Sequence, residues 1–191
     1  MFKYISLFVV LLLLSSCAPK FEIKKSFNEF RNISKFEMSE NLVPGKFGKI
    51  GYKLYFNIRK EQLLTQNRTN YEIKLSTEQA TGFKSNSIML ISLNGSEQLR
   101  LEAKDGNSSA SVLSGYSPGY FINGTYIAGH SYSTTLYYSY ALYDLTDENL
   151  NKLLTAKNID LALETEDGRK VTASFSKDNI NNLTKFNNEC N

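Results

Sequence analysis

Apolar residues recur at every second position over much of the chain, and this period predicts half-buried strands. From Gly51 onward, Tyr52, Leu54, Phe56 and Ile58 fall on one face, and Lys53, Asn57 and Arg59 on the other. Tyr71, Ile73 and Leu75 repeat the pattern. Asn94-Gly95 predicts a hairpin with a two-residue type I′ turn, which pairs Leu90 with Leu99 and Ile88 with Leu101 on a shared face. Met89, Ile91 and Leu93 then point the other way, so this strand is expected to be central, with both faces covered. A second hairpin surrounds Asp167-Gly168. A three-residue loop, Glu166-Asp167-Gly168, pairs Leu163 with Val171, Leu161 with Ala173 and Ile159 with Phe175. A one-residue slip would mix the two faces, so the pattern selects this longer loop.

Two stretches near the carboxy terminus switch to helical spacing. The first runs from about Asp147 to Ala156, with Thr146 as its cap and acidic Asp147 and Glu148 in its first turn. The second runs from about Lys177 to Glu189, capped by Ser176, with Ile180, Leu183 and Phe186 as an inner stripe that Cys190 continues. Residues 21–40 carry Phe27, Phe30, Ile33 and Phe36 at spacings of three, which fits a helical turn or two as well as a strand. Pro44-Gly45 reads as a turn. The expected fold is mainly β, an antiparallel sandwich or strongly curved sheet with two short helices near the C-terminus, in one domain over residues 21–191.

The first residues follow a different pattern. One charged residue, Lys3, precedes an apolar run from Ile5 to Leu14, too short to span a bilayer as a helix. The run ends in Leu14-Ser15-Ser16-Cys17. This motif resembles the lipobox of bacterial lipoproteins. The resemblance implies a signal peptide over residues 1–16, cleavage before Cys17 and a covalent lipid on the Cys17 sulfur. Residues 17–20 would be the lipidated terminus and a short tether. Residue 18 is Ala rather than Asp, which by the same resemblance favours the outer membrane. The ending of strand, helix, hairpin and helix loosely resembles β-rich periplasmic and lipoprotein domains, and it implies no function.

Composition narrows the chemistry. The chain has 191 residues, is 41% hydrophobic and has a net charge of +3, with no basic block that would mark a nucleic-acid partner. Of the two cysteines, Cys17 is assigned to lipid, so Cys190 has no partner and reads as a small buried hydrophobe on the last helix or an exposed thiol. A single histidine, His130, excludes multi-histidine metal sites; no cofactor motif is present, and neither a metal nor a catalytic residue is assigned. A Ser–His–acid arrangement using His130 and Asp144 is the one hydrolase reading left open.

Residues 116–143 hold eight of the twelve tyrosines. The first half is rich in turns; the second reads as a long strand with Tyr132, Thr134, Leu136, Tyr138, Tyr140 and Leu142 on one face. Tyrosine combines apolar area with a hydroxyl at low entropic cost, as in recognition surfaces. Strand propensity alone, with that face packed on the core, explains the same composition. As a ligand surface, the candidates are the turn-borne Tyr116, Tyr120 and Tyr126, then Tyr137 and Tyr143, which small neighbours would leave standing proud. The expected function is that of a non-enzymatic envelope lipoprotein that binds another macromolecule or organises an assembly. The alternatives are a surface adhesin or a small-ligand or glycan binder, and then an envelope hydrolase.

Overall fold

The computed structural model describes residues 20–83 and 86–190. The expected leader over residues 1–16, residues 17–19 of the expected tether and the lipidation expected at Cys17 therefore lie outside the described residues. The strands are β1 (Glu22–Asn28), β2 (Ile33–Ser39), β3 (Leu42–Phe47), β4 (Ile50–Leu63), β5 (Arg68–Thr77), β6 (Ile88–Leu93), β7 (Glu97–Ser117), β8 (Tyr120–Ile122), β9 (Thr125–Ile127), β10 (His130–Leu145), β11 (Ile159–Glu164) and β12 (Lys170–Ser174). The helices are α1 (Asp147–Thr155) and α2 (Lys177–Cys190).

The fold is mainly β with both helices near the C-terminus, as the sequence predicts. The sheet goes further than a sandwich: it closes on itself. The order β3-β12-β11-β6-β7-β10-β5 is completed by β4, which pairs with β3 on one edge and β5 on the other. Closure of these eight strands removes the free edges of the barrel wall. An eight-stranded barrel is just wide enough for side chains to fill. Here Leu54, Phe56, Ile58, Ile73, Leu75 and Tyr143 are all fully buried. The strand pattern at residues 21–40 resolves as the β1–β2 hairpin, which continues the wall along the far half of β4.

Three local expectations are corrected. Pro44-Gly45 lies inside β3, opposite Lys53 and Tyr52. A side chain at position 45 would crowd the Tyr52 backbone and Cβ at 3.1 and 3.3 Å, so glycine suits the close pairing. The turn forms instead beyond Phe47, with Gly48 at φ +59°. At Asn94-Gly95 both residues adopt positive φ, as a type I′ turn requires. Ser96 nonetheless joins the loop, so Leu93 pairs with Glu97, Ile91 with Leu99 and Met89 with Leu101. That shift sends Met89, Ile91 and Leu93 inward, while Ile88 and Leu90 are over a third exposed. A closed barrel has only one apolar side, so a strand apolar on both faces leaves one of them in water. The third correction, Tyr143, belongs to the candidate site.

The second hairpin has the expected register, with Leu163 opposite Val171 and Leu161 opposite Ala173, and Gly168 at φ +80°. Thr146 caps α1 by accepting from the Asn149 amide, and Ser176 Oγ accepts from the Asn179 amide in α2. Both helices lie at one end of the barrel. There the buried ammonium of Lys60 donates to the carbonyl of Cys190, the last residue of α2, at 2.6 Å. A cation at a helix C-terminus complements both the orphan carbonyls and the dipole.

Cys190 itself is buried, and burial pushes its thiol pKa up to about 11 from an ordinary 9.0. Because the thiolate is the reactive form, native Cys190 is expected to react with a thiol reagent at pH 8 about a hundredfold more slowly than in the unfolded chain. Equal rates in buffer and in denaturant would contradict this burial.

Candidate functional arm

The opposite end of the barrel carries the feature with no structural explanation inside the chain. β7 and β10 run past the rim together. Their pairing continues from Ser139↔Ser108 outward to His130↔Ser117. The chain between them folds into the small β8–β9 hairpin at the tip, turning at Asn123-Gly124, both with positive φ. The nine pairs from Ser109↔Tyr138 to His130↔Ser117 extend about 30 Å at roughly 3.3 Å per residue. From Asn107 to Tyr138 no residue is buried. The arm therefore stands in solvent on both faces.

Alternation along a strand makes two surfaces of this ribbon. On one, Tyr132, Thr134, Leu136 and Tyr138 pair with Gly115, Leu113, Ser111 and Ser109. On the other, Ser131, Ser133, Thr135 and Tyr137 pair with Tyr116, Ser114, Val112 and Ala110. Val112, Leu113 and Leu136 are each more than half exposed, as are Tyr116, Tyr120, Phe121, Tyr126 and Tyr132.

Glycines shape the tip. A Cβ at Gly115 would strike the Tyr132 ring, one at Gly119 the Tyr126 ring and one at Gly129 the Tyr116 hydroxyl. Each tyrosine thus lies across a glycine backbone, as aromatic residues do when they cover strand glycines. Phe121 and Tyr126 meet with ring centroids 5.0 Å apart.

The root of the arm is pinned. The backbone amide of Phe83 donates to Ser139 Oγ at 3.0 Å, Ser139 and Ser108 hydroxyls lie 2.9 Å apart, and Ser108 Oγ donates to Glu166 at 3.0 Å. Phe83 is buried at this end of the barrel. Glu166 is the charged residue at the root, and toward the helix end of the wall the Lys104 ammonium contacts Glu72 and Asp144.

Of the tyrosines proposed from sequence, Tyr116, Tyr120, Tyr126 and Tyr137 are on this arm and accessible. Tyr143 is not. It faces the barrel interior, fully buried, with its hydroxyl 2.6 Å from Ser87 Oγ, and burial raises its phenol pKa. Its face is solvent at Tyr137 but becomes core from Ser139 onward. The face expected to pack on the core, Tyr132 through Leu142, instead stays outside. His130 is exposed at the start of β10 and Asp144 sits near the other end of that strand, so the fold does not bring this pair together.

Sequence reasoning missed Val112, Leu113, Phe121 and Leu136. One signal could have found them: residues 106–143 contain no Asp, Glu, Lys or Arg, in a chain that is 21% charged. No family model, no curated protein and no solved structure matches this chain.

Proposed function

We propose that the chain is a lipid-anchored bacterial envelope protein, held by acylated Cys17, that uses the projecting β7–β10 arm to join a macromolecular assembly. The supporting observation is the arm itself. Monomeric soluble proteins rarely keep a contiguous apolar surface of this kind in water, and where they do it marks an interaction site. Each strand of the arm also has an outer edge of unpaired amides and carbonyls, a template for further pairing. Proteins that need only solubility protect such edges with charge; this one carries none there. The barrel supplies a rigid base, and the acyl chain would hold it at the membrane. The anchor reading rests on the lipobox resemblance, with Ala18 favouring the outer membrane.

A photo-crosslinking residue at Val112, midway along the arm, tests this reading in intact cells against a control at exposed Asn151 of α1. Adducts are expected from position 112 alone. The same cells carrying Cys17→Ser are expected to lose palmitate labelling. No adduct at 112, or palmitate labelling of the Cys17→Ser protein, would overturn the corresponding half of the proposal.

A further inference from the structure

The arm has more structure than a docking patch needs. Its aromatic residues fall into two bands. Tyr137, Tyr138 and Tyr140 sit at the root; Tyr116 and Tyr132 sit toward the tip, followed by the tip hairpin. Between the bands lie Val112, Leu113 and Leu136 among serines and threonines. On the barrel side the uncharged stretch ends at Asp105, and Glu166 stands at the root itself. An uncharged band flanked by aromatic girdles is the pattern of a β-strand that crosses a bilayer. The length agrees: membrane-crossing strands take about 9–11 residues across a hydrocarbon core about 30 Å thick.

A single hairpin cannot enter lipid, because its two outer edges would leave amides and carbonyls without partners. Among the described residues the outer edge of β7 has no strand partner beyond Glu102, and β10 none before Ser139. Pairing the β7 edge of one copy with the β10 edge of the next satisfies both. Such head-to-tail contacts leave no free edge once the ring closes. The arm suits this role because, without charge, copies do not repel one another.

We propose that arms from several copies of this chain pair edge to edge into one membrane-spanning β-barrel. Leu113, Tyr132, Thr134, Leu136 and Tyr138 face lipid; the other face, with Ser114, Ser131, Ser133 and Thr135 beside Val112, Tyr116 and Tyr137, lines an aqueous lumen. The proposal deepens the assembly reading above and rests on it: the assembly is a ring of this chain, and the surface it meets is a bilayer.

The test uses the acylated protein, purified from membranes in detergent and incorporated into phosphatidylethanolamine–phosphatidylglycerol vesicles loaded with a self-quenching dye. The wild type is expected to release the dye and to give a ladder of multimers on chemical crosslinking. Leu136→Lys places a charge in the lipid-facing band and is expected to slow release about tenfold or more. Ser133→Lys faces the lumen and is expected to keep release while shifting ion preference toward anions. Both positions are exposed, so both variants should melt as the wild type does. Vesicles that float with bound wild-type protein yet stay sealed would overturn the pore, as would equal effects of the two lysines. Sealed vesicles together with Val112 adducts to a different protein would overturn the pore and leave the docking role standing.

Discussion

Asn41→Ala is expected to lower the unfolding free energy by about 2–4 kcal/mol, measured by denaturant unfolding with the slope unchanged. Asn41 sits fully buried at the bend between β2 and β3. Its side-chain amide donates to the Phe56 carbonyl at 3.0 Å. Its side-chain oxygen accepts from Asn179 at 2.9 Å and from Asn182 at 3.1 Å, both on α2. Its backbone amide donates to Asn57. One residue thus ties the last helix to the barrel wall. Alanine would leave the Phe56 carbonyl short of a partner and loosen Asn179, which keeps only its bond to the Leu42 carbonyl from that amide nitrogen. Glu40, the residue before Asn41, holds a left-handed φ of +59° that a non-glycine residue adopts at a cost. The asparagine network is what over-determines that bend. Asn182→Ala removes a single, less buried bond, and about 1 kcal/mol is expected there. Equal losses from the two variants would show that the network does not act through Asn41.

The spacing of apolar residues, with the caps Thr146 and Ser176, was enough to place both helices, and their alternation placed the Leu163–Val171 hairpin. It did not show which face is inside. In β6 both faces are apolar, and the choice depended on whether Ser96 belongs to the loop or to the strand. That was settled at a distance: Asn94 Oδ1 accepts from the Lys157 and Asn158 amides at the start of β11, which fixes the turn against the neighbouring hairpin. In β10 the difficulty is different. One strand passes from solvent to core midway, so Tyr137 and Tyr143 have the same parity and opposite environments. The transition falls at Ser139, where pairing with β5 begins. Local pattern cannot carry that information, because it depends on where the neighbouring barrel strands end. The arm was half legible for the same reason. Its tyrosines stood out by number, whereas its missing charges became meaningful only once the ribbon was seen to stand clear of the barrel.

Phe83→Ala is expected to cost about 3–5 kcal/mol, the range for emptying a buried aromatic site, and to loosen the arm at its root. Phe83 is 1% exposed and lies in the segment that crosses the arm end of the barrel. It bridges Thr165 in the β11–β12 loop, and the Glu166 amide donates to the Gly82 carbonyl beside it. The Tyr52 hydroxyl donates to the Thr81 carbonyl at 2.7 Å from within the wall. The ring therefore holds a backbone crossing in place, and that crossing touches the hydroxyls of Ser108 and Ser139, where the arm leaves the barrel. There is no room above them: a Cβ on Gly82 would lie 2.3 Å from Ser108 Oγ and 2.8 Å from Ser139 Oγ. Removing the ring lets the crossing lift, and the root hydroxyls lose the amide and carboxylate that orient them. Hydrogen exchange separates this from simple loss of stability. Root amides at Ala110 and Tyr137 should lose protection by more than the global change, while β11 and β12 follow the global change alone. Uniform loss throughout would mean that the crossing plugs the barrel without steering the arm. A rigid barrel and an arm free to swivel would then be separate bodies, and edge-to-edge pairing between copies would have to order the root before it could begin.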